Sequence, residues 1–106
     1  MKIKRREFLD ILSKWKEDAS QLDLAINDGL DRGAFGVGFL CRAVEIGKEK
    51  VTFEGQSGTV NIFPFRRGTK YSYTEPRPSQ RWTSTIWIEW ASGSTCMITE
   101  RKASNV

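Results

Sequence analysis

The sequence predicts an α+β domain, an N-terminal helix packed on a five-stranded antiparallel meander that is strongly curved or closed into a small barrel. Three observations carry this. The spacing of apolar residues changes once, from steps of three and four before residue 28 to strand-like runs after residue 37. The strand-like segments are joined by tight turns of Gly, Ser, Lys and Glu, and such turns connect antiparallel neighbours. A chain of 106 residues, 39% apolar, has the length of one domain with its own core, read as residues 1–106.

The helix comes first. Phe8, Ile11, Leu12, Trp15, Ala19, Leu22 and Ile26 form one stripe, while Lys14, Lys16, Glu17, Asp18 and Asp23 occupy the other face. Lys14 and Asp18 stand four apart and are expected to pair. Asn27-Asp28-Gly29 supplies the stop, with Gly29 suited to the left-handed position after the last turn. The reading is a helix over residues 4–26, with Ser20 as the place where so long a helix would break. Gly33-Ala34-Phe35-Gly36-Val37-Gly38 has the spacing of a phosphate loop. Those loops lead from a strand into a helix, and here the order is reversed, so the segment reads as a linker. Strands are expected at residues 37–46, 50–54, 59–65, 83–90 and 95–100. Gly55-Gln56-Ser57-Gly58 and Ala91-Ser92-Gly93-Ser94 are the clearest turns.

Charge is distributed unevenly. Residues 1–28 balance six bases against six acids, whereas residues 63–82 carry Arg66, Arg67, Lys70, Arg77 and Arg81 against Glu75, which equals the chain's whole net charge of +4. The same segment holds Pro64, Pro76 and Pro78 and the aromatics Phe63, Phe65, Tyr71, Tyr73 and Trp82. A basic, aromatic, proline-stiffened loop at residues 66–82 reads as a binding surface for an anionic partner, a nucleic acid or an acidic protein. Arg, Lys and Tyr contact phosphate or carboxylate, and aromatic rings stack on bases. The residues assigned to this contact are Arg66, Arg67, Lys70, Tyr71, Tyr73, Arg77, Arg81 and Trp82.

Histidine is absent, which removes the commonest general base and the commonest transition-metal ligand. Cys41 and Cys96 read as buried free thiols on separate strands. No metal, cofactor or catalytic residue is therefore assigned, and the reading favours a non-catalytic binding or assembly module. The alternative is a small-ligand or enzymatic pocket between helix and sheet, lined by Trp87 and Glu89. Both the first strand and residues 83–90 carry apolar groups on their two faces, which points to a homodimer through the sheet. The basic start, Met1 to Arg6, runs into the charged stretch from Glu7 to Asp18 without an apolar signal region, and no apolar run reaches the roughly 18 residues of a membrane span. A cytoplasmic location without membrane contact is expected.

In element order, one helix and five strands with a long fourth connection, the chain resembles small Sm-like barrels, and in its long helix on a curved sheet it resembles the cystatin-like arrangement. The Sm-type signatures are missing from residues 51–65 and 96–101, and no family is assigned.

Overall fold

The computed structural model describes residues 1–27, 39–75 and 82–101, without the side chains of Trp82 and Thr83. The glycine-rich segment, Gly29, Arg77, Arg81 and the C-terminal tail lie outside these residues.

A two-residue strand, β1 (Lys2–Ile3), leads into the single helix of the described residues, α1 (Arg5–Glu17). The Glu7 carboxylate, three residues into the helix, accepts a hydrogen bond from the Lys4 backbone N–H at 3.1 Å and so satisfies one of the donors a helix start leaves open. Phe8, Leu12 and Trp15 are buried, as the apolar stripe predicts, and Lys14 Nζ lies 3.7 Å from the Asp18 carboxylate. The helix ends nine residues earlier than the expected residue 26. Ala19 adopts φ +52°, its N–H bonds to Lys16 O at 3.1 Å, and the Ser20 N–H reaches back to Trp15 O at 2.9 Å. This paired closure ends a helix and turns the chain aside.

The next element is a strand, β2 (Leu22–Asn27), not more helix. Leu22 and Ile26 fit a helical stripe and a strand alternation equally, because four residues is both one helical turn and two strand repeats. Leu24 separates the two: it falls off the helical stripe but on the strand's inner face, where it is buried. The remaining strands are β3 (Phe39–Ile46), β4 (Val51–Gly55), β5 (Gly58–Ile62), β6 (Lys70–Thr74), β7 (Trp82–Glu89) and β8 (Thr95–Arg101). Among the described residues the sheet thus has eight strands, where the sequence predicts five. The additions are β1, β2 and β6, the last cut from the expected basic loop. This departs from both resembled element orders.

The strands form one antiparallel sheet in the order β1-β6-β7-β8-β2-β3-β4-β5. Because β8 returns to pair with β2, the chain order runs round the sheet from β6 to β8, on to β2 and through to β5. The sheet is not closed. Its two edges are β1 and β5, because β1 already pairs with the side of β6 that β7 leaves open. Residues 63–69 form the short link from β5 to β6. That short link nonetheless draws the ends of the sheet together. Trp90 Nε1, just past β7, donates to Phe63 O at 2.8 Å, and the Tyr71 hydroxyl donates to Pro64 O. The concave face covers α1: Phe8 stacks on Tyr71 with ring centroids 4.7 Å apart and meets Phe65 edge-on at 6.0 Å. One core joins Phe8, Leu12 and Trp15 to Leu22, Phe53, Ile86, Ile88 and Ile98.

The two-sided apolar pattern has a local cause in β3. The β3–β4 register shifts between Ala43 and Glu45, a bulge at Val44 that moves Ile46 onto the same side as Cys41 and Ala43. Ile46 packs against the core instead of sharing the outer face with Leu40. Among the described residues no helix is long and apolar enough to cross a membrane.

Candidate functional site

The site is a groove beside the link from β5 to β6, with Ile26 of β2 in its lining. Three neighbouring pieces of backbone build it: the end of β5 with residues 61–63, the β7–β8 turn at residues 90–94, and the corner that carries Arg66 and Arg67. The corner is a tight turn. Thr69 N–H bonds to Arg66 O at 3.2 Å and Thr69 Oγ1 donates to the same oxygen at 2.6 Å. Gly68 takes φ +83°, the left-handed value that the third position of such a turn requires. A Cβ there would also stand 3.1 Å from the Ala91 side chain, so glycine lets the corner close on the β7–β8 turn.

Pro64 is fully buried, Phe65 lies against Phe8, and the Arg5 guanidinium sits 4.5 Å above the Phe65 ring. These contacts, with the bonds from Trp90 and Tyr71, fix the backbone on both sides of Phe63. The Phe63 ring, 40% exposed, is left facing outward, with the Arg66 guanidinium 5.2 Å above it.

The resulting groove has a volume of about 330 Å³. Ile26, Ile62, Phe63 and Trp90 give it an apolar floor, Asn61, Ser92 and Ser94 supply polar groups, and Arg66 and Arg67 supply charge. None of its described lining residues is acidic. Two other depressions lack this asymmetry. One of about 680 Å³ near the β4–β5 turn contains Arg42 and Glu54, which face each other across the β3–β4 register. Another, of about 450 Å³ beside α1, mixes Lys16 with Glu17 and Glu45.

The basic segment is therefore split. Arg66 and Arg67 are exposed at the groove, and Lys70 is exposed at the start of β6 opposite Glu89. Tyr71 is not available to a partner. It is 8% exposed, its ring lies on Phe8 and its hydroxyl bonds to Pro64 O. Burial raises the Tyr71 phenol above its ordinary pKa, and the nearby Arg5 charge opposes that shift. Tyr73 packs against the core from the same side of β6. Arg77 and Arg81 lie outside the described residues, as does the side chain of Trp82. Sequence reasoning missed Ile26, Asn61 and the 90–94 turn, which come to Arg66 only because the sheet curls.

Trp87 and Glu89 are both exposed on the face turned away from α1, while Ile86 and Ile88, before and between them, are fully buried. They do not line a space between helix and sheet. Around Trp87 the outer face carries Met97 directly opposite on β8, Ser72 opposite on β6, and Thr85, Thr95 and Thr99.

Cys41 and Cys96 are buried and free. They stand on β3 and β8 with β2 between them, so their backbones are separated by two strand spacings of roughly 4.8 Å each, too far for a disulfide. Burial, and secondarily the negative charge of Asp23, pushes the Cys41 thiol up to about 12; burial, and secondarily Cys41, does the same to Cys96. Neither thiol is a nucleophile at neutral pH.

Comparison of the chain with protein-family models, with curated proteins and with solved structures finds no match.

Proposed function

We propose that the protein is a non-catalytic binding module that holds an acidic segment of a partner protein in the groove beside the link from β5 to β6. The observation that carries this reading is the pairing of an apolar floor with Arg66 and Arg67 and with no carboxylate among the described lining residues. Arginine on a low-dielectric surface favours carboxylates, with which its planar fork makes two parallel hydrogen bonds. The apolar floor would take an aliphatic side chain of the same segment. An acidic protein suits the groove better than a nucleic acid, because Tyr71 and Tyr73 are drawn against the core and the exposed Phe63 ring is already faced by the Arg66 guanidinium.

The test is a titration with the peptide acetyl-Glu-Val-Asp-Val-Glu-amide, followed by heteronuclear NMR. The expected result is saturable binding that weakens with salt, with shifts at Phe63, Arg66, Arg67 and Trp90. Arg66→Ala with Arg67→Ala should weaken it at least about tenfold, the scale of one to two charge-assisted hydrogen bonds. No binding in low salt overturns the reading. Tighter binding of mixed single-stranded RNA, with a log–log salt slope of about −0.7 per phosphate contact, would overturn it in favour of a nucleic-acid partner.

A further inference from the structure

We infer that the acidic segment enters as an added β-strand along the free edge of β5, so that main-chain pairing gives the affinity and the two arginines give the selectivity. This rests on the groove reading above and specifies how the groove is filled.

β5 ends the strand order, with β4 on one side only. It is joined to β4 by the two-residue turn Gln56-Ser57, with Gly55 opposite Gly58. The closing pair of a two-residue hairpin is a hydrogen-bonded pair, and such pairs alternate along an antiparallel ladder. Gly58, Val60 and Ile62 therefore direct their N–H and C=O groups to β4. Thr59 and Asn61 direct theirs to the open edge. The side chains agree: Thr52 Oγ1 donates to Asn61 Oδ1 at 2.8 Å, the close approach expected where opposed residues do not exchange main-chain bonds. Thr59 and Asn61 are both exposed.

Among the described residues the edge lacks the usual protection. Within β5 there is no proline, no charged residue and no bulge. Pro64 comes two residues too late to block it. Asn61 and Ile62 also form one wall of the groove, so a strand laid on this edge runs into the groove toward the corner of Arg66 and Arg67. Its alternate side chains would fall beside Val60 and Ile62 on the apolar side and beside Thr59 and Asn61 on the polar side. Acidic residues near the corner complement the two guanidinium groups, which supports a partner strand over a second copy of this chain: a second β5 would bring another Arg66 and Arg67 with it. Addition of a strand to a sheet edge is an established mode of peptide recognition.

The experiment uses the same five-residue peptide and two copies of it, N-methylated at alternate residues in the two opposite phases. Methylation removes donors that face β5 in one phase and donors that face solvent in the other. The expected result is that one phase loses binding at least about tenfold and the other does not. Hydrogen exchange of Thr59 and Asn61 amides should slow in the complex, with the Val60 amide little changed. Equal binding by both phases, with Thr59 and Asn61 exchange unaltered, overturns strand addition while leaving the groove reading intact. Failure of the unmethylated peptide to bind overturns the groove reading itself, and the inference with it.

Discussion

Ala19 decides where the helix ends, and it does so against its own preference. Its φ of +52° is left-handed, a conformation that costs a residue with a Cβ about 1–2 kcal/mol relative to glycine. The closing bonds from Ala19 N–H to Lys16 O and from Ser20 N–H to Trp15 O hold it there. Ala19→Gly removes the steric cost, and the greater freedom of glycine in the unfolded chain returns roughly 0.4–1 kcal/mol of it. The net expectation is a stabilisation of up to about 1 kcal/mol, measured as a higher urea midpoint at unchanged slope. A destabilised variant would show that the turn is held in some other way. Alanine is a strong helix former, which is why this position reads as helix interior until its backbone angle is known. Gly68 shows the converse. Its need for φ +83° comes from the turn that places Arg66, and a glycine between arginine and threonine already signals such a turn.

At the scale of elements, α1 is the clearest feature in the sequence, because its buried face repeats at the helical period over successive turns. Trp15 is 4% exposed at the last of those turns, so Trp15→Ala should destabilise by about 3–5 kcal/mol in chemical unfolding. A loss below about 1 kcal/mol, the scale of an ordinary surface change, would remove this face from the core. The strands are harder to read for separable reasons. β2 is ambiguous because its Leu22 and Ile26 satisfy both periods, and only Leu24 breaks the tie. β6 does alternate, with Tyr71 and Tyr73 on one face and Lys70, Ser72 and Thr74 on the other, but its charge and the prolines beyond it give the segment the look of a loop. β1 is two residues long and exists through pairing with Tyr71 and Ser72, a partner no local pattern reveals. The bulge at Val44 is equally silent, and it accounts for much of the apparent second apolar face. The expectation of self-association through the sheet consequently rests on Trp87, 39% exposed and paired with Met97 among threonines and a serine, and on the exposed Leu40 of β3.

At the scale of the whole molecule, the groove is half legible in the sequence. Arg66 and Arg67 stand out by charge, but Ile26, Asn61 and Trp90 reach them only through a curl that depends on β8 pairing with β2. That ladder sets Leu22 opposite Glu100, residues from opposite ends of the chain. The same curl encloses the thiols of Cys41 and Cys96, which makes the fold sensitive to alkali. In the unfolded chain a thiol ionises near pH 8.5, whereas in the fold both are held up to about 12. Below about pH 8.5 each thiol is protonated in both states and stability is undiminished. Between about pH 9 and 12 the unfolded chain sheds these protons and the folded chain does not. The unfolded state then binds fewer protons, so stability must fall as pH rises, by up to about 1.4 kcal/mol per pH unit for each thiol. Tyr71, also raised by burial, acts in the same direction above about pH 10. Urea midpoints measured from about pH 7.5 to about 10.5 should stay level to about pH 8.5 and then decline. Cys41→Ala with Cys96→Ala should start from a lower midpoint, because buried volume is lost, but decline less steeply between about pH 9 and 10. The lysines and other alkaline groups are common to both proteins, so the difference in slope isolates the thiols. Equal slopes would mean that water reaches Cys41 and Cys96 in the native state, and that the curl of the sheet does not seal its interior.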